Sequence, residues 1–319
     1  GIEFDAAVFT NLTPEHLDYH RNLDNYFASK KRLFSELLGR GQAAINQDDE
    51  FGQQLLRENP AWSSFGTGPT ARIHPTTVSV GRQGITGSFA SPTGSISIDS
   101  SMIGHFNVSN LLATVAAAQL LGIDNDLIAA GITAAPQVPG RLQRVPNDRD
   151  VLALVDYAHS SDALEQVLAT LSKLDTKRLL TLVGCGGDRD PVKRPVMAAA
   201  AVKYSDLTIL TSDNPRTEDP LAILEQMCAG ALSAGAAELS AGQLKSGKKG
   251  FVVIPDRREA IRLAGTLVEA GDLLLLAGKG HETYQILGTT KVHFDDREEL
   301  SMVLNRNVED SGSEAGDDV

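Results

Sequence analysis

Residues 179–216 read LLTLVGCGGDRDPVKRPVMAAAAVKYSDLTILTSDNPR, and their order decides the fold. An apolar run, Leu179–Val183, empties into the polar loop Gly184–Asp190. A helical stretch, Arg194–Tyr204, follows it. A second apolar run, Leu207–Thr211, then empties into Ser212-Asp213-Asn214-Pro215-Arg216. Strands that are apolar almost throughout, with no charged residue, are buried on both faces, which calls for a parallel sheet with helices above and below. The rhythm extends in both directions. Further strands are predicted at Val151–Val155, Phe251–Ile254 and Leu273–Ala277, and further helices near Asp162–Leu174, Leu221–Ala234 and Arg258–Glu269. The expectation is an α/β domain built on a mostly parallel sheet.

Ala135-Pro136-Gln137-Val138-Pro139-Gly140-Arg141 has the chemistry of a linker and marks a boundary, with domains expected at residues 1–136 and 137–306. The first part is mixed. Glu3–Asn11 reads as a buried strand, and Thr13-Pro14-Glu15 is a helix start signal. A helix is predicted over Asn25–Leu38, with Phe27, Leu33, Phe34, Leu37 and Leu38 as its apolar face and Gly39 as its stop. Ser63–Ser101 reads as short strands or hairpins, and Asn107–Leu121 as a strong helix. Asn307–Val319 carries Glu309, Asp310, Glu314, Asp317 and Asp318 without a base, the composition of a disordered acidic tail. A chain that opens on a core strand with no initiator Met is expected to lack its natural N-terminus.

Charge sharpens the class. Against 41 acidic residues stand 29 basic ones, a net −12, so neither a nucleic-acid binder nor an anionic-membrane binder is expected. No apolar run approaches the roughly 20 residues that span a bilayer. Cys185 and Cys228 fit no disulfide framework or zinc spacing, which suits a cytoplasmic protein.

In open parallel sheets, ligands sit at the carboxyl ends of the strands. Four strand ends here carry unusual polar residues: Asp156-Tyr157-Ala158-His159, Gly184–Asp190, Ser212–Arg216 and Gly278-Lys279-Gly280-His281-Glu282. Arg216 suits a bidentate pair with a carboxylate, while Asp213, Asn214 and Glu282 suit an ammonium. With Arg189 they would fit a zwitterionic amino acid. Each signal alone also has a plainer reading. Gly184-Cys185-Gly186-Gly187 fits a tight βα turn, and Asp213–Arg216 fits a plain turn. His16 and His20 read as a surface pair, Lys30-Lys31-Arg32 as a solvated helix face, and Asn107 and Asn110 as helix caps. The one near match to a phosphate loop, Gly242 to Lys249, ends in Lys rather than Ser or Thr and precedes a strand, so it fails.

In this order the motifs resemble one family. Thr10–His20 with Tyr26-Phe27-Ala28-Ser29-Lys30, and Gly104–Asn110, are similar to the central domain of the Mur ligases. The four polar strand ends resemble the C-terminal domain of the members that add meso-diaminopimelate. The resemblance implies a partial central ATPase-type α/β domain followed by a Rossmann-like C-terminal domain. It implies an ATP-dependent ligase of peptidoglycan precursor synthesis: an acyl phosphate forms on the UDP-N-acetylmuramoyl-dipeptide, and the amine of meso-diaminopimelate displaces phosphate. It further implies a cytoplasmic monomer.

Residue by residue, Lys30 matches a lysine that the family carries as a carbamate, and His16 a ligand of Mg²⁺. Asn107 and Asn110 match contacts to the adenine side of ATP, and Arg141 and Asp156 match contacts to its ribose or phosphates. His159 lies in the same segment. Arg189, Asp213, Asn214, Pro215, Arg216, Gly278 and Glu282 match the pocket for the far end of meso-diaminopimelate. Two departures stand out. Ser161 replaces a usual Pro, and the UDP-sugar domain and phosphate loop that family members carry upstream are not in this sequence. Autonomous turnover is therefore not expected. The alternatives are a non-catalytic amino-acid- or nucleotide-binding fragment, or a lysine-adding relative.

Overall fold

A computed structural model describes residues 4–13, 20–39 and 41–305 and divides the chain into two compact units, residues 1–136 and 137–319. In the first unit the elements are β1 (Ala6–Phe9), α1 (Leu23–Arg32), β2 (Gln42–Asn46), α2 (Glu50–Glu58), β3 (Ser63–Phe65), β4 (His74–Gly81), β5 (Gly84–Ser91), β6 (Gly94–Ser100), α3 (Phe106–Leu120) and α4 (Asn125–Ala134). Strands β1, β2 and β3 make a small parallel sheet in that order, and β4, β5 and β6 an antiparallel meander. In β6 the alternation is strict. Ile96 and Ile98 are buried and Ser95, Ser97 and Asp99 exposed, as a one-sided strand requires. Phe65, Phe89, Ile96 and Ile98 pack with Leu111, Leu112 and Val115 of α3, while Phe9, Phe27, Phe34 and Ile45 form a second cluster.

The structure refines several sequence expectations in this unit. Pairing with β2 confines the first strand to Ala6–Phe9. The long helix begins at Leu23, where the Asn22 side chain accepts the Asn25 N–H, and it passes at Leu33–Leu37 into a π-helical turn. Helix α2 was missed, although Asp49 caps it by accepting the N–H groups of Phe51 and Gly52. The start signal beyond Thr13 and the acidic tail lie outside the described residues.

The second unit holds β7 (Gln143–Arg144), β8 (Leu152–Asp156), α5 (Ser161–Leu171), β9 (Leu179–Cys185), α6 (Lys193–Tyr204), β10 (Leu207–Ser212), α7 (Pro220–Ser233), β11 (Gly250–Val253), α8 (Arg257–Leu267), β12 (Leu273–Ala277), β13 (Tyr284–Leu287), β14 (Thr290–His293) and α9 (Asp296–Leu304). The sheet order is β11-β10-β9-β12-β8-β7, parallel throughout except for the short edge strand β7. Alternate residues of the strands, such as Val155, Leu182, Ile209 and Leu276, pack with Ala260, Ile261, Ala264 and Leu300 of α8 and α9. The intervening residues, such as Leu154, Val183, Leu210 and Leu275, are equally buried on the face that α6 and α7 contact. That double burial explains the nearly unbroken apolar runs, and Thr181 and Thr208 within them are buried as well.

Three helices of this unit begin on side-chain caps. Ser160 accepts from Ala163 N–H, Asp219 from Leu221 N–H and Asp256 from Glu259 N–H. The chain runs outward from β9 to β11 and returns with β12 on the other side of β9. After β12 the chain leaves the sheet for the separate β13–β14 hairpin, so the carboxyl ends of β9, β10 and β12 lie side by side.

Candidate functional site

Strands β10 and β12 end in Ser212 and Ala277, and one buried cation ties these ends together. Arg257 is 1% exposed, donates to the Ser212 carbonyl at 3.5 Å and the Ala277 carbonyl at 3.1 Å, and forms a fork with Asp296 at 2.8 and 2.6 Å. From the two fixed ends project Asp213-Asn214 and Gly278-Lys279. Lys279 is fully buried. Its ammonium donates to the Tyr284 carbonyl at 2.6 Å, Glu282 Oε2 at 3.2 Å and Asn214 Oδ1 at 3.4 Å, and it lies 3.5 Å from Asp213 Oδ1.

Asn214, 3% exposed, accepts the Ile286 N–H at 2.9 Å and donates to Glu282 Oε2 at 3.0 Å. Its amide thus braces the loop and also meets the Lys279 ammonium. Asp213 and Glu282 keep some exposure. Burial pushes the Asp213 carboxyl above the usual carboxylate range, against the pull of Lys279 and Arg257.

Arg216 has a left-handed backbone, φ +53°, held by hydrogen bonds on both sides. Its N–H donates to Ile286 at 3.1 Å, and its carbonyl accepts from Gly288 N–H at 2.8 Å, which joins it to the β13–β14 hairpin. Its guanidinium donates through Nη1 to the Gly187 carbonyl at 2.8 Å, and Nε and Nη2 have no protein partner among the described residues. Arg189 is exposed on the Gly184–Asp190 loop, where its one hydrogen bond among the described residues is a long 3.4 Å contact to the Asp188 carbonyl. The loop itself is pinned. A Cβ on Gly187 would overlap the Pro215 carbonyl, so only glycine permits the close approach of the two loops. Arg194, wholly buried, clamps both Glu218 oxygens at 2.7 Å and donates to the Gly186 carbonyl at 3.3 Å. Cys185, next to this loop, is no nucleophile. Burial pushes its thiol up to about 12, and its Sγ rests 3.7 Å from Met197 Sδ.

At the end of β8 the Asp156 carboxylate, 4% exposed, accepts the N–H groups of Leu142 and Ala158 at 2.7 and 2.8 Å. Burial raises its pKa in spite of these donors and of Arg141. It fixes the strap that carries Arg141, whose guanidinium lies 5.2 Å from the Tyr157 ring centroid. Tyr157 also packs on His159 at 4.7 Å and on His281 at 5.2 Å, which makes a cationic, aromatic surface.

In the first unit Lys30 is exposed with its ammonium 5.0 Å from the Tyr26 centroid, and Tyr26 stacks on His20. Lys31 and Arg32 pair instead with Glu58 and Glu36. His16 lies outside the described residues. Among the described residues no group of three or more His, Cys, Asp or Glu is placed to hold a metal ion. Asn107 and Asn110 are not caps. His105 occupies the cap position of α3, and the Asn107 side chain donates back to the Ile103 carbonyl at 2.8 Å while accepting Asn110 at 2.8 Å. Sequence reading missed Lys279, Arg194, Arg257, Tyr157 and His281 as participants. The one available signal was a lysine between two glycines directly after a fully apolar strand.

Comparison with known proteins gives a consistent picture. Residues 1–118 match the family described as Mur ligase middle domain, and residues 140–280 that described as Mur ligase, glutamate ligase domain. A relative from Geobacter sulfurreducens, UDP-N-acetylmuramoyl-L-alanyl-D-glutamate–2,6-diaminopimelate ligase, is 51% identical over 308 residues, which covers 94% of this chain and 60% of the relative. The ligase of the same name from Gloeobacter violaceus is 44% identical, over 96% of this chain and 60% of its own length. The chain thus spans about 60% of the length of these curated relatives. A solved ligase of that name superposes with a TM-score of 0.68 at 37% identity, covering 94% of this chain and 60% of that one. The folylpolyglutamate synthase of Mycobacterium tuberculosis, solved with ADP and AMPPCP, shares the fold at a TM-score of 0.59 and 20% identity, covering 86% of this chain and 61% of its own.

Proposed function

The chain belongs to the Mur ligase family, and from that membership we propose that it serves an ATP-dependent ligase joining meso-diaminopimelate to UDP-N-acetylmuramoyl-L-alanyl-D-glutamate. On this reading residues 1–136 act as the central domain and residues 137–306 as the C-terminal domain of a cytoplasmic monomer in peptidoglycan precursor synthesis. The observation that carries it is the rim of the second unit. Two guanidiniums, Arg189 and Arg216, stand by the Gly186-Gly187 turn, with the acidic pair Asp213 and Glu282 on the neighbouring strand ends. With Lys279 between them, the two carboxylates retain one net negative charge, which suits an ammonium, while Nε and Nη2 of Arg216 suit a carboxylate. An amino acid carrying both groups at its far end fits this pairing. Lysine, whose far end is an amine alone, leaves Arg216 unpaired.

The chemistry assigned to the chain is positional. ATP transfers its terminal phosphoryl group to the peptide carboxylate. The near amine, held in place by the anchored far end, attacks the acyl carbon; the C–N bond forms, the C–O bond to phosphate breaks and the amine proton is lost. In this reading Asn107 and Asn110 serve the adenine side of ATP, and Arg141 and His159, on the aromatic surface around Tyr157, serve its ribose or phosphates. Asp156 supports Arg141 from below. A carbamylated Lys30 and His16 as holders of Mg²⁺ belong to the same reading, but the described residues do not by themselves build a metal site, so no step is routed through one.

Calorimetry with the whole chain tests the substrate assignment. Heat with meso-diaminopimelate and at least tenfold weaker binding of L-lysine are expected; equal or absent heats for both would count against it.

A further inference from the structure

A lysine with no exposed surface is rare, and its desolvation is not recovered by one hydrogen bond to a carbonyl. Lys279 meets groups from three segments: Asp213 and Asn214 after β10, Glu282 after β12, and the backbone of Tyr284 in β13. A neutral donor would satisfy the Tyr284 carbonyl equally well, so what Lys279 adds is charge beside two carboxylates. Like charges that share a site disfavour double ionisation, and a cation between them restores it. We propose that Lys279 is a positioning residue that keeps Asp213 ionised beside Glu282, so that the rim retains net negative charge for the amino group of its ligand. The inference rests on the amino-acid-binding reading above and names the group that sets the strength of its ammonium subsite.

The other charges near the pair are accounted for. Arg257 also stabilises the Asp213 anion, but it is forked to Asp296, whose own charge opposes it, as does that of Glu282. Lys291 lies 3.5 Å from the centroid of the Tyr284 ring, against which Lys279 also packs at 5.7 Å. Lys279 is the first of the cations that hold Asp213 down. Without it, Asp213 protonates at higher pH and the ammonium subsite is lost on the acid side.

The test is calorimetric titration of the full chain with meso-diaminopimelate between about pH 5 and 7, where the ligand's carboxylates and ammonium groups stay charged. The ratio of affinity at pH 7 to that at pH 5 should be at least about tenfold larger in Lys279→Gln than in the parent chain, since an opposite charge within about 6 Å moves a carboxylate by a unit or more. In the double variant Lys279→Gln/Asp213→Asn that excess should vanish, because the titrating carboxyl is gone. A purely structural lysine would weaken binding by the same factor at every pH, and that result overturns the inference, as does a double variant that keeps the steep dependence. Far-UV circular dichroism checks folding. If the single variant does not fold, the carbon-13 carboxyl shift of Asp213 in the parent chain at neutral pH decides the matter: an ionised carboxylate supports the inference and a protonated carboxyl overturns it. Absence of heat with the parent at every pH overturns the substrate reading and this inference together, whereas binding by the parent with a parallel profile in the variants overturns the inference alone.

Discussion

Arg216 occupies a backbone conformation that a β-carbon disfavours, and the strain falls on the residue proposed to bind a carboxylate. Its peptide is hydrogen-bonded on both sides by the hairpin, so the guanidinium is aimed before any ligand arrives. Arg216→Ala should weaken meso-diaminopimelate binding about ten- to a hundredfold, the worth of a charge-assisted hydrogen bond, and should leave L-lysine binding little changed. Arg216→Lys should recover only part of the loss, since a point charge cannot fork a carboxylate. Both are read by calorimetry. Gly280 marks a second such position. With φ +54°, it lies where a β-carbon would press on Tyr157. Gly280→Ala should cost about 2 kcal/mol or more in urea unfolding, beyond the gain a relaxed Gly→Ala change brings. The Asp-Asn-Pro-Arg motif was legible as a candidate at this scale because its residue types are chemically specific. The brace role of Asn214 was not, because its partners Glu282 and Ile286 come from a distant part of the sequence.

Elements carry the geometry through a few buried ions. Arg257 at the start of α8 and Asp296 at the start of α9 form a pair with no exposure, and the arginine binds the last carbonyls of β10 and β12. Arg257→Met leaves Asp296 buried without a partner and should cost about 3–5 kcal/mol in urea unfolding. Arg257→Met/Asp296→Leu should cost clearly less than the two single changes summed, because each alone strands a charge. The Arg194–Glu218 fork between α6 and the loop before α7 adds a pH signature. The Arg194 hydrogen bonds, helped by the Asp188 N–H, hold the Glu218 carboxyl below its usual range. Its stabilisation is present above the unfolded carboxyl's pKa and is lost as pH falls through the lower folded value. Thermal unfolding measured from pH 6 downward should therefore fall more steeply for the parent than for Glu218→Gln. The parallel strands and their helices were readable because double burial writes continuous apolar runs. The β13–β14 hairpin and α9 were missed because the hairpin's strands are short and half-exposed, and α9 is rich in charge.

At the scale of the molecule, the second unit has its own core and contains every residue of the rim. Residues 137–305 expressed alone should fold, give a single cooperative urea transition and bind meso-diaminopimelate within about threefold of the whole chain, as expected for a domain with an independent core. Loss of binding on excision, in a fragment that still folds, would contradict the placement of the site. Fold class and the approximate rim could be read from the sequence because both follow from the order of apolar runs and the polar loops between them. The ionic couplings could not, since Asn214 and Lys279 meet across 65 positions and no local pattern records the encounter. The hairpin adds one last consequence. It grips Arg216 by its main chain and Asn214 by its side chain, yet it pairs with no strand of the six-stranded sheet. Grafting Asp213–Arg216 into a homologous scaffold would therefore transplant the letters of the specificity without the hand that holds them. A successful graft must carry residues 213–216 and 279–293 as one cassette, while the sheet beneath can stay the recipient's own.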